Sequence, residues 1–423
     1  MGKIAEKFGK YVSDTVPKNP KKIRKLLGTA YSLNGFYIKH FPDKTLLPHQ
    51  QYSWAACNDY MVQPFKHPEN SALVNIFMPC ELFHAIGMNF MFAEGLAGYL
   101  NGTHAEGVFI DAAEDYGVPK TFCSYHKAMI GAALTQVLPK LKLVVNTTLM
   151  CDANNLTFRA IAKEWDVPHI TIDVPYGETD SNIKYVADQL RDFGKELEKI
   201  TGRKIEDSKL KEAMEHEKRS MENLRKFYEI LPEKSLINAL TPEMFKLFLS
   251  HVMMGSKEAD RYFEMLVKDT EDAPPRGNEI RLMWGQVMPN WQKPLRDIFN
   301  SSEKYHLLAS SMNFDAIIDV DVDRPYETMA KRLIANMGGM RGTDRLKKIL
   351  EMSKKLHADG VIYFNHWGCK KTSGISTLAK NMFEKNGLPT LILDGDGCDR
   401  RNVSDEQVKT RVQAFLEILE AAK

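Results

Sequence analysis

What the chain lacks narrows its chemistry before anything else. None of its six cysteines forms a C-x-x-C pair, which excludes zinc ribbons, thioredoxin-like sites and small ferredoxins. No G-x-x-x-x-G-K-[ST] occurs. Gly338-Gly339-Met340-Arg341-Gly342 has the glycines without the phosphate-cradling Lys and Ser/Thr, so ATP hydrolysis is not expected in this chain. Gly395-Asp396-Gly397 does not extend to G-x-G-x-x-G either and reads as a tight loop. No apolar run reaches the roughly 18 to 20 residues that span a bilayer. The stretch Met1 to Leu33 has no apolar signal-peptide core, and its acidic residues argue against a transit peptide, so a cytoplasmic protein is expected. Charge of one sign is also missing. With 57 Lys+Arg against 55 Asp+Glu, neither nucleic acid nor an anionic membrane is an expected partner. The cluster Lys18, Lys21, Lys22, Arg24 and Lys25 reads as a solvated helix face.

What is present is length and pattern. A chain of 423 residues exceeds one ordinary core and implies two or three domains. Residues 1–70 read as a mainly helical segment. Residues 71–180 read as a first α/β domain, with an apolar run Ala72–Met78, a loop holding Cys80, and a helix expected to run on through HAIGMNFMFAEGLAGYL. A strand is expected to end at Cys123. Leu141–Asp173 then gives strand, loop with Cys151, helix and strand. Residues 181–275 carry apolar positions at three- and four-residue spacing and read as a helical linking region, closed by Pro274-Pro275. Residues 276–423 read as a second α/β domain. Its stretch Val361–Asp399 repeats the strand, thiol loop, helix, strand layout of Leu141–Asp173, with Cys369 and Cys398 at the two strand ends. Ser404 and Gln407 form an expected capping box for the last helix. The fold class expected is α/β, with two Rossmann-like (flavodoxin-like) doubly wound domains and a helical N-terminal and linking region.

The thiols carry the chemistry. Cys80, Cys123, Cys151, Cys369 and Cys398 are expected where strands end and helices begin, at the edge where open α/β sheets bind ligands. There the helix dipole favours thiolate, the form that binds iron. Only Cys57 falls outside such a context. Any single one of these cysteines is equally at home as a small buried hydrophobe; five in one topological position point to a shared centre. Four thiolates complete one cubane, and six allow two clusters with three protein ligands each.

The segments FCSYHKAMIGAAL, NTTLMCDANN, HWGCKKTSG and GLPTLILDGDGCDRRNVSDEQVKTRVQAFLE resemble the D-component family of 2-hydroxyacyl-CoA dehydratases and benzoyl-CoA reductases, over most of the chain from about residue 70. The resemblance implies a [4Fe-4S] cluster on Cys123, Cys151 and Cys369. Cys57, Cys80 and Cys398 are additional to that pattern and make the chain look like the double-cubane cluster proteins of the same superfamily. That branch implies an [8Fe-9S] iron-sulfur cofactor on all six cysteines and a homodimer. It also implies a separate ATP-hydrolysing iron-sulfur activator protein as electron donor, and reduction of small molecules such as acetylene. The reading preferred on sequence is this iron-sulfur reductase. Its alternatives are a 2-hydroxyacyl-CoA dehydratase subunit with one [4Fe-4S] cluster and a non-catalytic iron-sulfur electron carrier.

Polar residues beside the thiols are candidates for moving protons. His366 precedes Cys369 by three residues, His126 follows Cys123 by three, and Glu81 follows Cys80 directly. Histidine titrates near neutral pH and suits proton delivery; orienting a ligand or serving the fold are the competing roles. Gly368 and Gly397 are expected to let backbone approach the cofactor. Lys370, Lys371, Arg400 and Arg401 either lend positive potential to the site or are exposed loop charges.

Overall fold

The computed structural model describes the backbone of residues 2–423 and the side chains of residues 5–423. Three helices come first: α1 (Gly2–Thr15), α2 (Pro20–His40) and α3 (Pro48–Lys66). The first sheet follows, built from β1 (Ser71–Val74), β2 (Asn89–Phe92), β3 (Leu143–Thr147) and β4 (His169–Ile172). Around it lie α4 (Glu81–Ile86), α5 (Ala93–Gly102), α6 (Glu106–Asp115), α7 (Ser124–Leu134) and α8 (Asp152–Trp165). Four helices cross to the second half: α9 (Asp180–Thr201), α10 (Asp207–Ile230), α11 (Leu240–Ser250) and α12 (Lys257–Asp272). The second sheet holds β5 (Ile280–Gly285), β6 (Tyr305–Ser310), β7 (Gly360–His366) and β8 (Thr390–Gly395). Its helices are α13 (Lys293–Phe299), α14 (Pro325–Ala335), α15 (Gly342–Lys355), α16 (Lys370–Ser373), α17 (Ser376–Lys385) and α18 (Asp405–Ala421).

Both sheets are parallel, in the orders β2-β1-β3-β4 and β6-β5-β7-β8. These are one order repeated, so the internal similarity of Leu141–Asp173 and Val361–Asp399 is a repeat of fold: β3–α8–β4 corresponds to β7–α17–β8. In each sheet the chain reverses direction of travel between the first and third strands, and the carboxyl ends there form the edge at which open α/β sheets commonly bind ligands. The loops that hold Cys151 and Cys369 leave β3 and β7 at this edge.

The central strands are buried on both faces, as parallel strands under helices must be, and so read as continuous apolar runs. In β5, Ile280, Leu282 and Trp284 face a cluster completed by Ile362, Phe364, Val412 and Leu416, while Met283 faces the larger core shared with the N-terminal half. Between them Arg281 is fully buried and donates to the carbonyls of Leu231, Lys234 and Leu356 and to Glu279, tying the helical crossover to the sheet. Helix starts follow their caps: Thr179 accepts from Asn182 N–H, Ser256 from Ala259 and Ser404 from Gln407. Among the described residues no helix is long and apolar enough to cross a membrane.

Two expectations fail locally. The helix after Cys80 does not run on to Leu100; it stops at Gly87, in the left-handed region (φ 66°), and β2 intervenes before α5. β2 lies beside β1, and the pairing of Ala72 with Phe90 supplies the long-range bonds that local pattern does not show. No strand leads into Cys123 either; that residue follows a turn after α6 and sits at the N-cap of α7.

Candidate metal centre

Three thiols from two halves of the chain lie near one another at one edge, although among the described residues no three side chains stand close enough to hold a single metal ion. Cys123 caps α7, Cys151 caps α8 and Cys369 caps α16. After burial, the nearness of Cys151 and of Cys369 helps hold the Cys123 thiol up, and that of Cys369 does the same to Cys151. The contact that joins the halves is made by Gly368. A Cβ there would stand 2.3 Å from Cys123 Cα and 2.8 Å from its backbone nitrogen, so only glycine fits. What Gly368 is seen to permit is contact within the chain, not with a cofactor: the Cys369 loop rests directly on the Cys123 backbone. Gly397 is similarly confined, with Tyr125 Cε2 2.7 Å from its would-be Cβ. Its carbonyl accepts from Tyr125 Oη and Trp291 Nε1, each at 2.8 Å.

Each of two thiols faces an imidazole. His366 Nε2 lies 3.2 Å from Cys123 Sγ, and its Nδ1 accepts the Gly397 N–H at 3.1 Å. The ring proton is therefore on Nε2, pointing at the sulfur. Asp396 accepts from Ser124 Oγ and from the backbone N–H groups of Cys398 and Asp399, fixing the loop that holds Gly397. His126 Nε2 lies 3.3 Å from Cys151 Sγ, with the Thr157 hydroxyl 2.9 Å from Nδ1. Burial pushes the His126 ring down to about 3, helped by His366; burial also lowers His366, against the pull of Asp396. Both shifts favour the neutral ring, which can still donate one N–H to sulfur.

The third thiol, Cys369, accepts from the Thr372 hydroxyl at 3.1 Å. The thiolate expected from helix dipoles does not follow for Cys123 and Cys151. Burial pushes Cys123 up, and it lifts Cys151 to about 12 although the N–H groups of Asn154 and Ala153 pull the other way. Desolvation outweighs the dipole, so ionisation here needs a cation bound to the sulfurs.

The other three cysteines do not join this set as closely. Cys398 is fully buried near Cys123 and Tyr125, its Sγ 3.8 Å from the Ala97 carbonyl. Cys80 caps α4 with its Sγ 3.4 Å from the Met78 carbonyl, beside Glu81 and Arg332. Cys57 sits inside α3, against Met253 Sδ at 3.8 Å. Neither Cys57 nor Cys80 has another thiol acting on it. Glu81 is locked in a buried ion-pair triad, with Arg332 between it (2.7 Å) and Glu217. Burial raises Glu217 to about 8.

The basic residues divide. Arg400 pairs with Glu106 at 2.6 Å, bonds the Asn101 carbonyl and lies over the Trp291 ring; Arg401 pairs with Asp111 and Asp399. Both hold the Cys398 loop to α5 and α6. Lys371 donates to the Gly338 carbonyl at 2.9 Å, and Lys370 stays exposed.

One residue of this edge is invisible in the sequence pattern. Glu94 follows β2, accepts the Ile76 N–H at 3.0 Å and acts electrostatically on Cys151. It keeps a solvent-facing edge, yet burial pushes the carboxyl up to about 7 against the pull of its own N–H and that of Ile76. The unrecognised strand β2 hid its position at the ligand edge.

Three sulfurs with N–H and O–H donors around them, and among the described residues no lysine or arginine paired with them, suit a cation-rich group held by thiolates; the donor set fits an iron-sulfur cluster. A model of the family described as 2-hydroxyglutaryl-CoA dehydratase, D-component, matches residues 75–419. The lactoyl-CoA dehydratase subunit alpha of Anaerotignum propionicum is 27% identical over 371 residues, 77% of this chain and 87% of its own. The (R)-phenyllactyl-CoA dehydratase of Clostridium sporogenes is similar through both subunits. Its alpha subunit is 25% identical over 82% of this chain and 88% of its own, and its beta subunit 23% identical over 60% and 69%.

Proposed function

Since the chain belongs to the family of the 2-hydroxyglutaryl-CoA dehydratase D-component, we propose that it is a 2-hydroxyacyl-CoA dehydratase subunit holding one [4Fe-4S] cluster on Cys123, Cys151 and Cys369. The observation that carries this reading is the nearness of those three thiols across the Gly368–Cys123 contact. It also moves the preference away from the six-cysteine reductase, because the relatives are dehydratase subunits.

Bound by Cys123, Cys151 and Cys369, such a cluster would supply a low-potential electron. The chain's own residues do the rest. His366 and His126 give their Nε2–H groups to the ligand sulfurs and hold them in place, rather than delivering protons. Glu94, with a carboxyl titrating near neutrality, is suited to protonate a departing hydroxyl. The substrate class is a CoA thioester with a hydroxyl at C2. A companion subunit completes the enzyme, and electrons come from a separate ATP-hydrolysing iron-sulfur activator, since this chain has no phosphate-cradling loop of its own.

A second reading, the [8Fe-9S] double cubane with reduction of acetylene, is carried by Cys398, which lies close enough to Cys123 for their charges to interact. Iron and sulfide counting on anaerobically purified protein separates the two. About four iron atoms per chain supports the dehydratase and about eight the double cubane. Protein with no iron sinks both. Dehydration of lactoyl-CoA or another 2-hydroxyacyl-CoA with an ATP-driven activator then tests the activity, and its absence from cluster-loaded protein leaves only an electron carrier.

A further inference from the structure

Arg345 is a buried cation with no carboxylate beside it. Among the described residues five lysines and arginines are buried, and four of them have an acidic partner. Lys127 pairs with Glu114, Lys246 with Glu243, Arg281 with Glu279, and Arg332 with Glu81 and Glu217. Arg345 is 3% exposed and has none. Its Nη2 donates to the Lys371 carbonyl at 2.7 Å, while Nε and Nη1 have no hydrogen-bond partner. A guanidinium does not deprotonate in proteins, and burying its charge without an opposite one costs more than a single carbonyl bond returns. Its position adds to the cost. Arg345 is the fourth residue of α15, in the turn where the helix dipole disfavours a cation. Asp344 in the same turn gives no relief, because it faces solvent and pairs with Lys347 at 3.4 Å. Two unfavourable electrostatic effects on one buried group call for an anion nearby.

The contacts of Arg345 lead to Cys369. The carbonyl it bonds belongs to Lys371, two residues beyond that cysteine. The next residue, Thr372, gives its hydroxyl to Cys369 Sγ at 3.1 Å, and its carbonyl accepts from Tyr363 Oη at 3.5 Å. Burial pushes the Tyr363 hydroxyl up to about 12; the nearness of Arg345 opposes that rise and the nearness of Cys369 adds to it. The guanidinium and the sulfur are thus neighbours of one hydroxyl, joined through the backbone of the Cys369 loop and not bonded to each other. Thiolates that hold iron supply negative charge at such a place, whereas protonated thiols supply none.

We propose that Arg345 is the fixed counter-charge of the thiolate-held iron-sulfur cluster, raising its reduction potential through space without bonding a ligand sulfur. The proposal rests on the cluster reading above, and holds for the single cluster and the double cubane alike, since Cys369 is a ligand in both. Each electron accepted from the activator adds one negative charge to the centre, and a fixed positive charge nearby favours the more negative state. His366 and His126 act on the sulfurs by hydrogen bonds; Arg345 acts by charge.

The test is an EPR-monitored redox titration of the full-length, cluster-loaded protein, with iron counted on the same samples. Arg345→Gln should shift the one-electron equilibrium toward the oxidised state by roughly thirtyfold, the order expected of one unit charge in a partly desolvated site. At 59 mV per tenfold that is a potential lower by about 90 mV. Arg345→Lys keeps the charge and should stay within about threefold of the wild type. In cluster-free protein Arg345→Gln should resist denaturant at least as well as the wild type, because it removes an uncompensated charge. If Arg345→Gln fails to fold, Arg345→Met, which fills the space without charge, decides in its place. A wild type without iron sinks the cluster reading and this proposal with it. A neutral variant with full iron and an unchanged potential overturns this proposal alone. So do equal shifts in Arg345→Gln and Arg345→Lys, which would make Arg345 a support for the Lys371 carbonyl and nothing more.

Discussion

Cys151 and Cys57 are one residue type in two kinds of surroundings. Cys151 stands at a helix start on the ligand edge of the first sheet, in contact with an imidazole and in electrostatic reach of two further thiols. Cys57 lies in the middle of a helix with apolar neighbours and no group that stabilises its charge. Burial raises both thiols, so neither is reactive by virtue of pKa. What separates them is company. A thiol with other thiols and N–H donors nearby is suited to bind a cation, and one without them is suited to serve as a small hydrophobe.

The comparison is broken most directly at Cys369. Cys369→Ser should remove nearly all iron from anaerobically purified protein, because the second half of the chain contributes no other thiol to the trio; retention of the full iron count would show that the trio is not the ligand set. Cys57→Ser is the opposite case. Iron should be unchanged, while a hydroxyl placed where only Met253 Sδ and a carbonyl 4.0 Å away are near lowers stability by about 1–3 kcal/mol, read by denaturant unfolding. Loss of iron in Cys57→Ser with the fold intact would return Cys57 to the ligands and favour the double cubane.

Sequence shows some of this and hides the rest, for identifiable reasons. The strands β3, β5 and β7 are central and covered on both faces, so their apolar runs stand out, and the repeat of β3–α8–β4 in β7–α17–β8 can be read from order alone. β2 is four residues long and its sequence, NFMF, continues the apolar character of the helices around it; only pairing with β1 makes it a strand. Cys123 follows Thr121-Phe122, which mimics a strand end, yet a turn places it. The D-component segments mark Cys123, Cys151 and Cys369, but their nearness depends on Gly368 lying against Cys123, a contact between residues 245 positions apart that no local pattern contains.

His366 sharpens the comparison further, since it tests whether the imidazole acts on the sulfur or on substrate protons. Replacing it by Phe removes the N–H bond to Cys123 Sγ and keeps a ring in the space. A hydrogen bond to a charged sulfur contributes on the order of 1.5 kcal/mol, so the cluster potential should fall by roughly 60 mV. An EPR-monitored redox titration reads that shift; His366→Gln, whose amide N–H can replace the bond, should recover part of it. An unchanged potential with lost turnover would restore the proton-delivery role.

The smallest effect separates the ligand edge from the buried interior by its pH dependence. Glu94 has its carboxyl raised from the ordinary glutamate value to about 7. Between pH 4.5 and 7 the folded protein therefore holds a proton there that the unfolded chain has released, and stability contributed by this group declines as pH rises through that window. Its solvent-facing edge screens the effect, which leaves on the order of 1 kcal/mol. Glu94→Gln cannot ionise, so its unfolding free energy should fall less than that of the wild type between pH 5 and 7, measured on protein without cluster. In turnover the same variant should lose the alkaline limb, the fall in rate above neutrality as a proton donor ionises, while keeping its iron. Parallel stability curves for the two proteins would mean that Glu94 titrates like a surface carboxylate, and the role of proton donor would pass to another group at this edge.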